Sequence, residues 1–305
     1  MVPLIIISLI VIWMIWNVTL IGYRDKPRQT AVPQVDEVFD PRCLPVILEH
    51  DEKSNKAIIM IHGLPSTPYA YDYAAKRAFE EGYDIFVPLL PGFGTKPEHL
   101  ENTTYSQWFA YMKEYYLDKR SQYEKLYVIG TSMGGAMTLH LAETFTKEAQ
   151  RPDAVCTIAA PVFLNNISEG VVKNWLYYFA RTVALFTASI KTGIHYGKEE
   201  ENDGDELWIG YKGVFVRVGV SFLSALKKIK RNLSSINVPI FMLHDHNDRT
   251  VPSVNLEYIY KHIGSTEKEY EITHMDKDHN RHVLLMYKSV QQQLLEKILS
   301  FFENH

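Results

Sequence analysis

The sequence predicts an α/β fold, in which a mostly parallel central sheet is flanked by helices and carries an inserted helical cap. Apolar runs of strand length alternate with helix-like segments as far as Pro161, a pattern typical of a doubly wound parallel sheet. The alternation then stops, helical apolar patterns follow for about 75 residues, and the alternation resumes. We therefore expect residues 35–161 and 237–305 to form one α/β domain and residues 162–236 to form the cap.

The composition is that of a folded globular chain. Of the 305 residues, 46% are apolar and 12% are aromatic, which is enough for a well-filled core. The formal net charge is −4 and no element carries a stripe of lysine and arginine with interleaved aromatics, so we expect no nucleic-acid partner. The only two cysteines, Cys43 and Cys156, do not form a disulfide framework and fit a reducing compartment. The sequence identifies no protein partner.

The amino-terminal segment predicts a membrane anchor. Residues 2–21 contain no charged side chain, and at 1.5 Å per residue they would cover about 30 Å of hydrocarbon. The charged start and small-residue cleavage site of a signal peptide are absent. Three basic residues follow the segment, and the positive-inside tendency then places the remaining chain on the cytoplasmic side. We expect residues 1–23 to form a single-pass transmembrane helix, with the membrane as a partner, and residues 24–34 a linker.

Each strand of the predicted sheet is a short apolar run bounded by turn-forming residues. Runs without polar interruption are typical of parallel strands that are buried on both faces. The predicted strands are Ala57–Ile61, Ile85–Val87, Leu126–Ile129, Ala154–Ala160, Pro239–Leu243 and Glu269–Ile272, with Val35–Phe39 and Val46–Glu49 as candidate edge strands.

Helices are predicted between these strands from apolar residues spaced three and four apart. Ser66 or Thr67 can cap the first helix of the sheet domain, and Thr103 or Thr104 can cap the second. Further helices are expected at 255–262 and, as a closing amphipathic helix, after residue 282.

A GxSxG pattern centred on Ser132 predicts a nucleophilic serine at a sharp turn from strand to helix. Such a turn needs glycine two residues before and two residues after the serine, because a Cβ there would clash. Gly130 and Gly134 meet this need. The turn also directs the amide of Met133 and the start of the following helix toward a reacting carbonyl, so Met133 is a candidate oxyanion donor.

A serine hydroxyl needs a base to take its proton, and the base needs an acid to orient it. In a doubly wound sheet these partners follow on loops after later strands, in the order acid and then base. Asp248 is the candidate acid, with Asp245 as its competitor at the very end of the strand. His282 is the candidate base because it directly precedes the final helix. Its competitors on the same loop are His274 and His279.

The second oxyanion donor is expected on the loop that follows the strand Ala57–Ile61. We assign it to the backbone N–H of Leu64. His62, at the start of the same loop, is interpreted as a structural hydrogen-bonding residue.

Taken together, these motifs resemble those of the α/β-hydrolase superfamily and, within it, the bacterial carboxylesterase and monoacylglycerol lipase group. The similar segments are His62–Pro68, Leu90–Leu100, Gly130–Gly135, Asp248–Pro252 and Arg281–Val283. The resemblance implies the same residue roles: Ser132 as nucleophile, Asp248 as acid, His282 as base, and the amides of Leu64 and Met133 as the oxyanion hole. Two features depart from the group, namely Phe93 in place of the usual histidine and a longer cap.

The sequence thus predicts a serine hydrolase that cleaves carboxylic esters through an acyl-enzyme intermediate. We expect an acyl ester or lipid substrate whose apolar chain lies beneath the cap. A serine peptidase, a thioesterase and a non-catalytic ligand-sensing protein on the same fold are the alternatives. Residues His244 to Asp248 also match an HxHxD metal-binding pattern, but the next histidine of that pattern is Arg249 here, so we expect no metal and no cofactor.

Overall fold

The computed structural model describes residues 2–25, 31–147, 149–172, 175–198, 203–204, 206–276 and 280–305, apart from the side chains of residues 2 and 175. Its strands are β1 (Val46–Leu48), β2 (Lys56–Ile61), β3 (Asp84–Val87), β4 (Lys125–Thr131), β5 (Val155–Ile158), β6 (Ile190–His195), β7 (Gly210–Val214), β8 (Ile240–Asp245) and β9 (Lys268–Thr273). Its α-helices are α1 (Val2–Thr19), α2 (Asp72–Glu80), α3 (Pro97–Glu101), α4 (Tyr105–Arg120), α5 (Met133–Thr144), α6 (Ala180–Phe186), α7 (Val216–Asn232), α8 (Val254–His262) and α9 (Gln291–Glu303). Short 3₁₀ helices lie at Val35–Glu37, Pro41–Cys43, Pro68–Tyr71, Ile167–Glu169, Trp175–Tyr178, Leu233–Ser235 and Leu284–Met286.

Seven strands form one sheet in the order β1-β3-β2-β4-β5-β8-β9. All neighbours in it are parallel except β1, which runs antiparallel to β3. The central strands are buried on both faces, which explains why their sequences are apolar without alternation. The predicted fold class, a mostly parallel sheet flanked by helices, is confirmed. Because the strands are parallel, the carboxyl ends of β2, β4 and β8 meet at one edge of the sheet.

Helices cover both faces of this sheet. Trp108 and Met112 of α4 belong to the buried cluster on one face, which also includes much of α5 and α7. Ala74 of α2 and Ile298 of α9 belong to the cluster on the other face. The candidate edge strand at Val35–Phe39 is wrong, since Val35–Glu37 is a 3₁₀ helix, whereas the predicted strand at Val46–Glu49 corresponds to β1.

The sequence predicts that the segment between β5 and β8 is helical, but the structure shows that it is only partly so. It contains α6 and α7, but β6 and β7 form a two-stranded antiparallel hairpin between them. β7 also contacts the loop that follows β2. Tyr211 N donates a hydrogen bond to the Pro65 carbonyl at 3.1 Å. Gly210 is required at this crossing because a Cβ there would lie 2.2 Å from the Pro65 oxygen. The cap boundaries at 162 and 236 stay predictions, although α7 also packs against α4 and α5.

The predicted transmembrane anchor is wrong. Within the ranges that the structure describes, no helix has both the length and the apolar character needed to cross a membrane. The apolar segment forms α1, which runs from Val2 to Thr19. Three further predictions depended on this anchor and are wrong as well: the membrane localisation, the cytoplasmic orientation, and the membrane as a partner. Residues 26–30 of the predicted linker lie outside the described residues.

The carboxyl half of α1 packs instead against the cap. Trp13 Nε1 donates to Thr182 Oγ1 at 2.9 Å, and the Thr182 amide donates to Asn17 Oδ1, also at 2.9 Å. The Arg181 guanidinium lies over the Trp16 ring, 3.8 Å from its centroid. α1 therefore supports α6 from outside.

Asn255 fastens the start of the cap segment to the sheet domain. Its Oδ1 accepts hydrogen bonds from the Val162 and Phe163 amides at 2.8 and 3.0 Å, and its Nδ2 donates to the Pro252 carbonyl at 2.9 Å. The side chain is fully buried, so its removal leaves the Val162 and Phe163 amides without this acceptor in the protein interior.

We predict that Asn255→Ala lowers the free energy of unfolding by about 3 kcal/mol, because two buried amides lose their acceptor. Urea unfolding followed by tryptophan fluorescence measures the change. Ser253→Ala, directly before α8, is the matched control, since its hydroxyl makes one hydrogen bond, to the His246 carbonyl. The control is expected to change the free energy by less than about 0.5 kcal/mol. Equal losses in the two variants would contradict the prediction.

Candidate active site

Ser132 occupies the turn between β4 and α5 in a strained conformation. Its φ is 57° and its ψ is −119°, a region that residues other than glycine rarely adopt. The turn is held on both sides, because Ser132 N donates to the Ile158 carbonyl at 2.8 Å and Ala136 N donates to the Ser132 carbonyl at 3.0 Å. The serine is therefore fixed at the carboxyl edge of the sheet.

The two glycines of the pattern are required by close packing. A Cβ on Gly130 would lie 2.2 Å from the Gly134 carbonyl oxygen, and a Cβ on Gly134 would lie 2.0 Å from the Ile61 oxygen. Neither contact is sterically allowed. The spacing that indicated the turn in the sequence thus has a direct steric cause.

Asp248 and His282 are brought together from the loops that follow β8 and β9. His282 Nδ1 lies 2.7 Å from Asp248 Oδ2, and the carboxylate is completely buried. Asp248 Oδ1 accepts from the Thr250 and Val251 amides at 2.6 and 2.9 Å. Burial by itself would raise the pKa of Asp248, but the charge of His282 and the hydrogen bonds from His244 and His282 hold that pKa well below its usual range.

The competing acid, Asp245, has a different set of partners. Its Oδ1 accepts from the Asn247 amide at 2.9 Å. Its Oδ2 accepts from Thr273 Oγ1 and from the Met275 amide, both at 2.8 Å. Asp245 therefore joins the end of β8 to the end of β9 and does not contact His282.

The competing bases are not placed at the carboxylate. The ring of His274 lies beside that of His246, with centroids 5.2 Å apart. His279 lies outside the described residues. Of the candidate acids and bases that the structure describes, Asp248 and His282 are the pair in contact.

The other nitrogen of His282, Nε2, is buried and has no hydrogen-bond partner among the described residues. The hydroxyl of Ser132 is therefore not hydrogen-bonded to it in this structure. Catalytic hydrogen bonds of this kind are often long in the absence of substrate and tighten when it binds. Nε2 is the remaining proton acceptor of the Asp248–His282 pair.

Arg281 positions the loop that carries His282, a role that the sequence did not indicate. Its backbone has a positive φ of 60°, and its side chain is only 4% exposed. Arg281 Nη1 donates to the Asn247 carbonyl at 2.9 Å, and Nε donates to the Asp276 carbonyl at 2.7 Å. The only signal in the sequence was an arginine directly before the candidate base.

The loop after β2 lies against the serine. A Cβ on Gly63 would lie 3.1 Å from Ser132 Cβ, and Leu64 and Ser132 line the same cavity. On the other side, Met133 is the first residue of α5, where helix geometry leaves amides without an intrahelical acceptor. The two predicted oxyanion donors thus belong to segments that flank Ser132.

His62 lies behind this loop and is fully buried. The Leu90 amide donates to its Nε2 at 3.2 Å, so the ring hydrogen is on Nδ1, which donates to the Gly63 carbonyl at 3.1 Å. Phe93, the departure noted in the sequence, packs edge-on against the ring at 4.9 Å. Burial lowers the pKa of His62 to about 4, so the ring is neutral and structural at pH 7.

A cavity of about 410 Å³ extends from Ser132 beneath the cap. Its wall is mostly apolar and combines α6, the hairpin and α7. Representative lining residues are Leu164, Tyr177, Val183, Val214, Phe222 and Leu223. The part of the chain that the structure describes contains no group of three or more histidine, cysteine, aspartate or glutamate side chains suited to a metal ion.

A serine on a strained strand-to-helix turn, above a mostly parallel sheet and beneath an inserted cap, defines an α/β hydrolase. Comparison with known families agrees and is more specific. Residues 52–285, more than half of the chain, match the Hydrolase_4 model, described as serine aminopeptidase, S33. The chain belongs to this family, and the predicted superfamily is confirmed.

Characterised relatives show the same relationship. The chain is 26% identical over 263 residues to the thermostable monoacylglycerol lipase of Bacillus sp. (strain H-257), covering 83% of this chain and 93% of the relative. It is 23% identical over 220 residues to a carboxylesterase of Bacillus subtilis (strain 168), covering 70% of this chain and 81% of the relative. A solved structure from the metagenome-derived lipolytic enzymes LipS and LipT has a TM-score of 0.70 at 22% identity, covering 87% of this chain and 99% of that one.

We predict that His62 makes the protein less stable in acid. In the unfolded chain a histidine binds a proton below pH about 6.5, whereas the folded protein does not protonate His62 until about pH 4. The stability contributed by the neutral ring is therefore present above pH 6.5 and is lost as the pH falls toward 4. Between pH 7 and pH 5 the loss amounts to about 2 kcal/mol.

Urea unfolding of the wild type and of His62→Gln at both pH values tests this. The glutamine variant is expected to be less stable at pH 7 but to lose about 2 kcal/mol less between the two pH values. Parallel losses would show that His62 titrates alike in the folded and unfolded chains.

Proposed function

We propose that this chain is a serine ester hydrolase, in which Ser132 is the nucleophile, His282 the general base and Asp248 the acid that orients it. The observation that carries the proposal is the buried Asp248–His282 contact at 2.7 Å, on the same edge of the sheet as the strained serine. The relatives named monoacylglycerol lipase and carboxylesterase support the same activity. The function expected from the sequence is thus the one that the relatives favour.

The reaction follows from the chemistry of these groups. Ser132 Oγ attacks the carbonyl carbon of the ester while its proton passes to His282 Nε2. The amides of Leu64 and Met133 donate to the oxyanion of the tetrahedral intermediate. The intermediate collapses as His282 gives the proton to the departing alcohol, which leaves an acyl-serine. A water molecule, deprotonated by the same imidazole, then releases the carboxylic acid and restores Ser132.

Asp248 serves this cycle by staying ionised. Since its pKa is held well below the usual range, it remains a carboxylate throughout the neutral pH range and can stabilise the imidazolium that forms on His282. Its contact with Nδ1 keeps the proton on that nitrogen and leaves Nε2 as the acceptor for the serine proton.

The acyl part of the substrate is an apolar chain. A cavity of about 410 Å³ with an apolar wall stabilises buried methylene groups and provides little for a charged or strongly polar acyl group. A monoacylglycerol, or a simple ester of a medium-chain or long-chain acid, has this chemistry.

A serine peptidase is the second candidate, because the matching family is described as serine aminopeptidase. Amides and esters share the tetrahedral chemistry. An aminopeptidase must also bind the free ammonium group of its substrate, and a buried ammonium needs a carboxylate partner. None of the described residues that line the cavity is an aspartate or glutamate, which favours the ester hydrolase.

We predict that Ser132→Ala lowers hydrolysis of esters by at least about a thousandfold, because it removes the attacking oxygen. The measurement is turnover of a series of 4-nitrophenyl esters and monoacylglycerols from two to sixteen carbons, with amino-acid 4-nitroanilides in parallel. Labelling by a serine-directed phosphonate counts the active sites of the wild type. The circular dichroism spectrum of Ser132→Ala, which has no serine to label, controls for its folding. Hydrolysis of the anilides alone would favour the peptidase. Absence of both hydrolysis and labelling in the wild type would favour the ligand-sensing alternative.

We predict that Gly219→Leu shifts the preference toward shorter acyl groups. Gly219 lies on α7 and lines the cavity, and a Cβ there would meet no atom within 4 Å, so a larger side chain can extend into the free space. The ratio of kcat/KM for a long to a short ester is expected to fall about tenfold or more. Gly219→Ala is the matched control, since it gives the same helix-favouring change with little added volume. An unchanged ratio in the leucine variant would place the acyl chain elsewhere.

A further inference from the structure

A second histidine reaches the carboxylate of Asp248. His244 Nε2 lies 3.2 Å from Asp248 Oδ2, the same oxygen that lies 2.7 Å from His282 Nδ1. His244 is the next-to-last residue of β8 and is only 1% exposed. Two imidazoles therefore meet at one buried carboxylate oxygen, one from a strand and one from a loop.

The surroundings of His244 determine which ring nitrogen carries its proton. Besides Asp248 Oδ2, His244 Nε2 has the Val251 carbonyl oxygen at 3.1 Å. Both neighbours are hydrogen-bond acceptors, so a bare Nε2 would direct its lone pair at two oxygens. Nε2 must therefore bear a hydrogen, and His244 is a donor to the carboxylate.

With this donor the carboxylate of Asp248 is surrounded by four N–H groups. The Thr250 and Val251 amides occupy Oδ1, and the two imidazoles occupy Oδ2. The first two donors belong to the same loop as Asp248 itself. His244 is the donor that belongs to the sheet itself, and its second contact, to Val251, also holds the far end of the loop.

We propose that His244 is a positioning residue for the reaction: its Nε2–H fixes the Asp248 carboxylate relative to the sheet and so keeps His282 in the orientation that presents Nε2 to Ser132. This inference rests on the proposed function. His244 does not line the apolar cavity; it acts through Asp248 and through the Val251 carbonyl, which it also contacts.

The same contact has an electrostatic consequence. Among the residues that the structure describes, His244 and His282 are the titratable groups that act on Asp248. An oxygen that accepts two N–H groups shares its negative charge between them and stabilises the protonated form of His282 less than an unshared oxygen would. Removal of the His244 donor therefore has two separable effects. Asp248 and His282 are oriented less well, and the Asp248 carboxylate stabilises the protonated form of His282 more strongly.

The test compares His244→Leu, which keeps an apolar side chain of similar size without a donor, with His244→Gln, whose amide can donate to Asp248. Phosphonate labelling of Ser132 counts the active sites, so that any loss of folded protein is divided out. The readouts are kcat, KM and the pH profile of kcat/KM with one short-chain ester.

We expect the leucine variant to lose about tenfold to a hundredfold in kcat per labelled site, with KM changed less than about twofold. The acid limb of its pH profile is expected to move to higher pH, because the unshared carboxylate retains the proton on His282. The glutamine variant should recover much of the kcat and return the acid limb toward its wild-type position.

A purely structural role would lower thermal stability and the labelled fraction but leave kcat per site and the acid limb unchanged, with no advantage of glutamine over leucine. That result would overturn the inference while the wild type still shows hydrolysis that depends on Ser132. A wild type without such hydrolysis would overturn the proposed function and this inference together.

Discussion

The backbone at Ser132 is the constraint on which the candidate site depends. A serine with φ of 57° costs about 1–3 kcal/mol, and this strain persists only because the surroundings allow no other path for the chain. The Ile158 carbonyl holds the amide of the serine, and the packing of Gly130 against Gly134 leaves no room for side chains. The same turn places the start of α5 beside the serine. The position of the nucleophile and the position of the amino end of α5 are therefore both set by this one turn.

Two aspartates three residues apart show how neighbouring carboxylates acquire different roles. Asp245 accepts hydrogen bonds from the Asn247 amide on its own loop and from Thr273 and Met275 at the end of β9, so it stabilises the edge of the sheet. Asp248 accepts two backbone amides on one oxygen and two imidazoles on the other. The difference lies in the donors that the fold supplies, since both side chains are buried at the same strand end.

Much of this arrangement was predictable from the sequence, because local sterics and burial leave clear patterns. The central strands are unbroken apolar runs, and the glycines around Ser132 are required by contacts shorter than 2.5 Å. Other features depend on tertiary contacts that no local pattern encodes. The sequence predicts helix where the hairpin of the cap lies, because the pairing of β6 with β7 and their contact with the loop at Pro65 are visible only in three dimensions. The anchor was wrong because hydropathy records apolar character, whereas α1 is short and packs on Thr182. His244 was read within a metal pattern because spacing alone does not show which carboxylate it contacts.

The contact between Gly210 and Pro65 bears on how proteins of this kind can diverge. The hairpin of the inserted segment extends onto the loop of Leu64, through the bond from Tyr211 to the Pro65 carbonyl and through a crossing that only glycine permits. A replacement segment without this hairpin would leave the loop beside Ser132 without its neighbour. The hairpin and the loop beside Ser132 therefore form one packing unit, whereas the helical parts of the insertion do not take part in this contact.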